Sequence, residues 1–255
     1  MTGPPRIDVV ILTWNDGDLL AQAIDSALAS EGVDVRVIVV DNGSDPAATV
    51  PADDRVRLIR NDANRGVAPA RNQGARAGQA EFVCLLDSDA RLLPGSLLAL
   101  VAPLRQDGRV ALAGPVFTGQ APEASAGRAP TLARKAGRLL GRYDTYAPIP
   151  HAPGAPWWPV DFTIGACQLI RRCAFQAVGG LDDSIFYGPE DVDFCLRLMD
   201  GGWAVVQVAG AGCHHPPRRT SRRIVTKRAW KHGWQVVRHL WRHRNPVVGV
   251  RHGAS

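Results

Sequence analysis

Apolar runs of strand length alternate with segments of helical spacing through the first 118 residues, and this alternation restricts the fold more than any other feature. Strands that read as unbroken apolar runs are typically buried on both faces, as in parallel sheets covered by helices. Alternation with helices indicates βαβ units, whose crossovers make neighbouring strands parallel. We therefore predict an α/β fold with a mostly parallel, Rossmann-like central sheet flanked by helices. The strand-like runs are residues 7–14, 35–44, 56–60, 81–89 and 109–117.

Three of these runs end in clusters of polar residues. The clusters are Thr-Trp-Asn at 13–15, Asp-Asn-Gly-Ser at 41–44 and Asp-Ser-Asp at 87–89. In open α/β sheets, ligands bind in the crevice outside the carboxyl ends of the strands. We therefore expect the three clusters to share one ligand-binding edge of the sheet.

Asp87 and Asp89 are separated by one serine, Ser88, at the end of a buried strand. Two carboxylates at this spacing can reach one hard cation, because Mg²⁺ and Mn²⁺ take oxygen ligands. Such a cation neutralises charge on a departing diphosphate. The alternative is a turn, since Asp and Ser both suit turns. The spacing alone leaves both interpretations open.

Two other segments carry groups that suit a nucleotide. Asp41 can accept a hydrogen bond from a base or a ribose, but Asn42 and Gly43 are typical of a tight turn used for its backbone alone, and this motif taken by itself favours the turn. Arg71 lies in a segment predicted to be helical, and an arginine there can pair with phosphate. The alternative for Arg71 is an exposed side chain on a surface helix.

Glu190 and Asp191 follow Pro189 at the start of a predicted helix. Acidic residues in a first helical turn are favoured by the helix dipole, which explains their position without any catalytic role. A carboxylate here can also take a proton from an acceptor hydroxyl. We expect the helix terminus to lower the pKa of such a base. His214 and His215 come after the last predicted strand, and either can join a metal site or remain a surface histidine.

The composition is that of a globular protein, with 45% hydrophobic and 21% charged residues in 255. We find no signal peptide and no stretch of about 18 apolar residues that could span a membrane. Five cysteines without a CxxC pair suit a reducing cytosol. The last 55 residues hold 11 of the 30 basic residues and none of the 24 acidic ones.

The basic tail contains Trp230, Trp234, Val237 and Trp241 at helical spacing, interleaved with lysine and arginine. This pattern is typical of an interfacial membrane helix. A helix that packs its tryptophans on the protein's own core explains it equally well. Nucleic acid is the weakest of the three interpretations, and we do not expect it as a partner.

Taken together, the motifs resemble those of family 2 glycosyltransferases, in particular the bacterial rhamnosyltransferase-like subgroup. The resemblance covers residues 6–215 and rests on an ordered set of motifs: VVILTWND, VVDNGS, NRGVAPARNQG, LLDSDA and the long string from GAC through VGGLDD to PEDVDFCLRL. Trp14 stands where the family more often has tyrosine, and residues 119–156 match no pattern of the family.

The resemblance implies an A-type glycosyltransferase fold and an inverting, metal-dependent transfer of a rhamnose-like or other hexose from a nucleotide-sugar. Residues 1–215 would form the catalytic domain, with a nucleotide-sugar half at about 1–118, a variable connection at 119–156 and an acceptor half at 157–215. Residues 216–255 would form the basic helical extension.

The resemblance also implies roles for individual residues. Asp191 is expected as the general base, with Glu190 beside it. Asp89, Asp87 and either His214 or His215 are expected to hold Mn²⁺ or Mg²⁺. The residues expected at the nucleotide-sugar are Thr13, Trp14, Asn15, Asp41, Asn42, Arg71, Asp87 and Ser88.

The expected partners are a nucleotide-sugar donor and a glycan, lipid-linked or small-molecule acceptor. The expected location is the cytoplasm, with the tail at the inner face of the membrane. Two other functions share some of these motifs: a non-catalytic nucleotide-sugar or glycan-binding module, and a sugar-nucleotidyltransferase. The second would place a basic, glycine-rich loop after the first strand, where this chain has the acidic TWNDGD. A dinucleotide-dependent dehydrogenase is disfavoured because no GxGxxG follows that strand.

Overall fold

The computed structural model of the protein describes residues 3–119, 124–129, 149 and 151–216. The strands are β1 (Arg6–Thr13), β2 (Asp34–Asp41), β3 (Val56–Arg60), β4 (Phe82–Asp87), β5 (Arg91–Leu92), β6 (Val110–Thr118), β7 (Ala126–Gly127), β8 (Trp157–Pro159), β9 (Phe162–Thr163), β10 (Cys167–Arg171) and β11 (Ala204–His214). The helices are α1 (Asp18–Leu28), α2 (Val67–Ala77), α3 (Ser96–Gln106), α4 (Arg172–Ala177) and α5 (Glu190–Asp200).

The main sheet has the strand order β3-β2-β1-β4-β10-β6-β11-β5, with β8 paired to β11. Strands β3, β2, β1 and β4 are parallel, and so are β6 and β11, which confirms the predicted mostly parallel sheet. Strand β10 lies between β4 and β6 and is antiparallel to both. In the described residues, the short strands β7, β8 and β9 come between β6 and β10. The sequence pattern predicts no strand there.

Alternate residues of the central strands face opposite layers of the core. Ile7, Val9 and Ile11 of β1 pack with α1 and α3 on one side. Val10 packs with α2 and α5 on the other. Helix α1 buries Leu20, Ala23, Ile24 and Ala27, a stripe at helical spacing that faces the sheet. Burial of both sheet faces explains why these strands read as continuous apolar runs.

Two predicted segments are only partly covered by the described residues. Within the connection at 119–156, Ala126 and Gly127 form β7, which pairs with β9 in a small separate sheet. Ala126, Ala129 and Ile149 are buried in the core, so these three residues of the connection pack on the domain. The predicted tryptophan-bearing tail lies outside the described residues. No helix in the described ranges is long and apolar enough to cross a membrane.

Candidate active site

The three polar clusters lie side by side at the carboxyl edge of the sheet. Thr13, the last residue of β1, is the register partner of Asp41 at the end of β2. On the other side of β1, Leu12 is the register partner of Asp87 at the end of β4. The expectation that all three clusters share one edge is therefore confirmed. Because β10 is antiparallel, it is the segment before this strand, with Gly165, that reaches the same edge.

One group of side chains at this edge is arranged as a metal site. A ligand atom from each of Asp87, Asp89 and His215 lies within 4.8 Å of the other two. His215 Nε2 is 3.7 Å from Asp89 Oδ1, and its Nδ1 is buried with no hydrogen-bond partner among the described residues. Two carboxylates and an imidazole are donors that Mn²⁺ accepts, and water and phosphate oxygens can complete the coordination. The residues present therefore fit a divalent cation.

The two histidines, which the sequence left as alternatives, have different surroundings. His215 packs against the Phe117 ring at 5.2 Å between centroids and turns toward the aspartates. His214 pairs in register with Arg91, and its Nδ1 lies 3.2 Å from the guanidinium of that residue. His214 is the last residue of β11 and His215 is the first residue after it, and of the two only His215 belongs to the group.

Arg71 lies at the centre of the site, with only 3% of its surface exposed. Its Nη2 is 2.5 Å from Asp87 Oδ1 and donates to the Gly165 carbonyl at 2.8 Å. Its Nη1 is 3.6 Å from Glu190 Oε1. Arg71 is therefore buried, and the alternative of an exposed side chain on a surface helix is wrong. The buried guanidinium joins the metal-site carboxylates to the acids at the start of α5.

The inward direction of Arg71 has a local cause in helix α2. A Cβ on Gly74, three residues further on, would lie 2.4 Å from a methyl carbon of Val10. The missing side chain lets α2 lie directly against β1, so residues on that face of the helix point at the sheet. Arg71 is on this face, and its guanidinium therefore reaches the sheet edge and not solvent.

The Asp191 carboxylate is held by two backbone amides. Gly165 N–H donates to Oδ2 at 3.0 Å, and Val192 N–H donates to Oδ1 at 2.7 Å. We expected the helix terminus to lower the pKa of Asp191. This expectation is wrong, because the pKa of Asp191 is raised in the structure. Burial raises the pKa of Asp191 by more than the two amides and the Arg71 charge lower it. A raised pKa makes the carboxylate a better proton acceptor.

Glu190 is buried more deeply than Asp191. Burial, followed by the neighbouring Asp191 charge, raises the pKa of Glu190 to about 7, although Arg71 opposes the shift. One of its carboxyl oxygens, Oε2, is buried without a hydrogen-bond partner among the described residues. Two neighbouring acids with raised pKa values, both close to the Arg71 guanidinium, are typical of a site that moves a proton.

Glu190 makes the stability of the metal-free protein depend on pH. Between its ordinary pKa near 4.5 and about 7, the folded state binds more protons than the unfolded state. The free energy of unfolding therefore falls as pH rises through this window. We expect Glu190→Gln to leave stability nearly unchanged at pH 4.5 and to raise it, relative to wild type, by about 2–3 kcal/mol at pH 8.

Urea unfolding of the chelator-treated protein at the two pH values measures this difference. The exposed Glu31→Gln variant is the matched control, since it removes one carboxylate from the solvated surface. An equal effect of Glu190→Gln at both pH values would contradict the assignment of this proton to Glu190.

Asp41 and Asn42 are bound mainly by the protein itself. Asp41 is fully buried and accepts from the backbone amides of Ser44 and Ala48 at 2.9 and 3.0 Å, and from the Arg60 guanidinium. Burial alone would raise the pKa of Asp41, but hydrogen bonds from Ser44 and Ala48 and the Arg60 charge lower it overall.

The amide of Asn42 makes four hydrogen bonds to the loop that follows β3. Its partners are the Asn64 side chain, the Gly66 carbonyl, the Asn61 side chain and the Arg65 amide. The side chains of Asp41 and Asn42 therefore fix the turn after β2 and tie it to the start of α2.

The end of β1 is organised by Asp16, which the sequence analysis left out of the site. Asp16 Oδ2 accepts from the Thr13 hydroxyl at 3.2 Å, the Trp14 amide at 3.1 Å and the Ser88 hydroxyl at 2.5 Å. It thereby connects β1 to the residue between the two metal-site aspartates. Two acids, Asp16 and Asp18, closely follow the strand at the ligand edge and were the available signal.

Trp14 and Asn15 complete this corner of the edge. Trp14 keeps 43% of its surface exposed at this end of the edge. Asn15 has a φ of 60°. In this conformation its backbone N–H donates to Ser44 Oγ at 3.0 Å, and its side-chain Oδ1 accepts from the backbone N–H of Asp45 at 2.8 Å. Asparagine tolerates this left-handed conformation better than most residues.

Comparison with known sequences identifies relatives of the chain. The family model described as Glycosyl transferase family 2 matches residues 8–179. An N-acetylglucosaminyl-diphospho-decaprenol L-rhamnosyltransferase of Mycobacterium tuberculosis is 31% identical over 248 residues, which cover 85% of this chain and 78% of the relative. A pre-mycofactocin glycosyltransferase of the same species is 31% identical over 91% of this chain and 47% of its own length.

Solved structures with the same fold include two glycosyltransferases. GalNAc-T7, solved with UDP, GalNAc and Mn²⁺, superimposes with a TM-score of 0.70 at 16% identity over 94% of this chain. The mannosyltransferase PcManGT of Pyrobaculum calidifontis, solved with GDP-Man and Mn²⁺, gives 0.62 at 18% identity over 95%. The chain spans 48% and 65% of the lengths of these two proteins. The predicted A-type fold is confirmed by both.

Proposed function

Because the chain belongs to glycosyl transferase family 2, we propose that it moves one sugar from a nucleoside-diphosphate sugar to an acceptor hydroxyl with inversion at the anomeric carbon. One observation carries the proposal. A metal-type group and a pair of acids with raised pKa values lie at the same sheet edge, on either side of the buried Arg71. The diphosphate departs from one face of the anomeric carbon and the acceptor attacks the other. The reaction therefore requires these two groups on opposite sides of that carbon.

The diphosphate end of the reaction belongs to Asp87, Asp89 and His215. These residues would hold Mn²⁺ or Mg²⁺, which when bound neutralises the charge that builds on the leaving diphosphate. Arg71 pairs with Asp87 and fixes the position of that carboxylate beside Asp89 and His215. Asp16, through Ser88, holds the intervening residue in place. Trp14 supplies an exposed ring for the nucleotide base, at the β1 end of the edge.

The acceptor end belongs to Asp191. Its carboxylate takes the proton of the acceptor hydroxyl as the oxygen forms a bond to the anomeric carbon. The bond from that carbon to the diphosphate oxygen breaks on the opposite face, so the nucleoside diphosphate leaves with the electron pair. Gly165 N–H fixes the direction of the carboxylate at 3.0 Å, and the burial that raises its pKa favours proton uptake.

The transferred sugar and the acceptor are proposed from the similarity to the rhamnosyltransferase. The rhamnosyltransferase relative supports a deoxyhexose or another hexose as the transferred group and a lipid-linked sugar as the acceptor. A lipid-linked acceptor also suits the basic, tryptophan-bearing sequence of the tail and a position at the cytoplasmic membrane face.

Turnover of a donor tests the proposed function directly. We expect Mn²⁺ together with UDP, GDP or dTDP to raise the melting temperature, because ligands that bind only the folded state stabilise it. We further expect one of the corresponding nucleotide-sugars to be hydrolysed slowly, with release of nucleoside diphosphate that requires Mn²⁺. Tight binding with no release from any donor would favour a non-catalytic binding module. Incorporation of a sugar phosphate into a nucleotide would instead indicate a nucleotidyltransferase.

A further inference from the structure

Asn72 follows Arg71 in helix α2 and is completely buried, at 0% exposed. Its side chain pairs with Leu181 and Asp183, which lie 109 and 111 residues further along the chain. Nδ2 donates to the Leu181 carbonyl at 2.8 Å and to Asp183 Oδ1 at 2.6 Å, and Oδ1 accepts from the Leu181 N–H at 2.9 Å. The amide thus binds both backbone groups of Leu181. The roles proposed above do not use Asn72.

The backbone before Leu181 is shaped to reach this side chain. Gly180 has a φ of 77°, in the left-handed region that favours glycine. A Cβ on Gly180 would lie 2.7 Å from Asn72 Oδ1, closer than two such atoms can approach. The contact between Asn72 and Leu181 therefore depends on the absence of a side chain at residue 180, and a larger residue there would push the loop away from α2.

A second contact holds the other end of the same loop. The Val67 N–H, at the start of α2, donates to the Phe186 carbonyl at 2.7 Å. Between the two contacts, the Ile185 N–H donates to the Asp182 carbonyl at 2.9 Å, which closes a turn. We refer to residues 181–186 as the anchored loop. Because both contacts come from one helix, the position of the anchored loop is set by α2.

The anchored loop leads directly to the two acids of the site. Glu190 is the fourth residue after Phe186 and begins α5, with Asp191 next. On the same helix as the anchor, Arg71 contacts Asp87 in the metal-type group and lies 3.6 Å from Glu190. Helix α2 therefore borders both ends of the proposed reaction, the diphosphate end through Arg71 and the acceptor end through the anchored loop.

We propose that Asn72 is a positioning residue of the transfer, which through the anchored loop fixes Asp191 relative to the metal-type group. This inference rests on the proposed function. The Gly165 N–H sets the direction of the Asp191 carboxylate, but the place of that carboxylate depends on where the chain enters α5. An in-line displacement needs the base and the diphosphate at a fixed separation, and an error of about 1 Å can slow it about 10²-fold. Asn72 acts on this separation and not on the substrate.

Disruption of the anchor from either side tests this role. The assay measures nucleoside diphosphate release from the preferred donor with Mn²⁺ and whichever octyl glycoside of glucose, galactose, rhamnose or N-acetylglucosamine stimulates it most, or with water as the acceptor where none does. We expect Asn72→Ala to lower kcat by about 10²-fold, because the base is no longer held at its distance. Gly180→Ala, which leaves every polar group in place, should lower kcat at least about 10-fold for the same reason.

The split between rate and affinity distinguishes positioning from a general loss of structure. Affinities for Mn²⁺ and for the nucleoside diphosphate, measured by titration calorimetry, should stay within about threefold of wild type in both variants. The matched control is Asp8→Ala, near the start of β1 and away from the catalytic edge. Asp8 is 2% exposed and accepts from the Ala80 N–H at 2.7 Å, so this variant also leaves a buried backbone group unpaired. It should lower the melting temperature and keep kcat within about threefold.

Unchanged kcat in a folded Asn72→Ala or Gly180→Ala protein would overturn the positioning role. An equal fall of kcat in Asp8→Ala would overturn it too, and so would a fall in donor affinity as large as the fall in kcat. If Asn72→Ala does not fold, Gly180→Ala decides by the same comparison. Absence of donor turnover in the wild type would instead reject the proposed function.

Discussion

Replacement of Asp191 by asparagine is expected to slow sugar transfer by about 10³-fold, the loss typical of a missing general base. Asparagine has nearly the same shape and can still accept the Gly165 amide, but it cannot take the acceptor proton. The negative charge that it removes comes from a buried cluster in which Asp87 and Glu190 are also acidic. We therefore expect the melting temperature to be maintained. Initial rates of glycoside formation, measured at saturating donor, check the prediction.

The control for this variant is Asp200→Asn, at the exposed far end of the same helix, α5. It removes an identical group from the surface and should keep the wild-type rate. Donor affinity, measured by titration calorimetry with Mn²⁺, should be similar in wild type and Asp191→Asn. Near-normal turnover in a folded Asp191→Asn protein would show that another group accepts the proton.

Replacement of Asp89 by alanine is expected to weaken Mn²⁺ binding by at least about 10²-fold and to slow transfer by about 10³-fold. The Asp89 side chain is 5% exposed and lies 3.7 Å from His215, so its loss removes one of three donors from a compact group. A metal that neutralises the leaving diphosphate stabilises the transition state by several kcal/mol, which gives the expected loss of rate. Titration of the chelator-treated protein with Mn²⁺, followed by melting temperature, measures affinity separately from turnover.

The two adjacent histidines provide an internal comparison for the metal site. His215→Ala should weaken Mn²⁺ binding in the same titration, because its ring belongs to the group. His214→Ala loses the contact of its Nδ1 with Arg91, which lies outside the group, and should bind Mn²⁺ as wild type does. Equal losses in both variants would contradict the geometry assigned to His215.

The sequence predicts the position of the site better than the contacts within it. Apolar runs and the polar residues that end them depend on burial and strand direction, which are local properties of the pattern. For this reason the alignment of Thr13, Asp41 and Asp87 on one edge follows from sequence alone. The choice between His214 and His215 does not, because it depends on where β11 ends and on the packing of the next residue against Phe117 and the aspartates.

Arg71 and Asp191 show what local patterns leave out. A helical arginine is usually solvated, and only the close packing of α2 at Gly74 turns Arg71 inward. The helix terminus alone predicts a lowered pKa for Asp191, whereas burial by residues distant in sequence raises it. Both outcomes depend on tertiary contacts between α2, α5 and the segment before β10, and no spacing of residues encodes them.

The direction of β10 has a consequence for how such enzymes can diversify. Strand β6 ends at Thr118 and β10 begins at Cys167, and the two strands are antiparallel neighbours. The described residues between them include β8, which adds to the main sheet beside β11, and β7 and β9, which pair with each other. An insertion at this point can therefore vary in sequence without altering the order of β4, β10 and β6. We expect chimeras that exchange residues 119–156 and keep β8, β9 and β10 to change the preferred acceptor while donor turnover is retained.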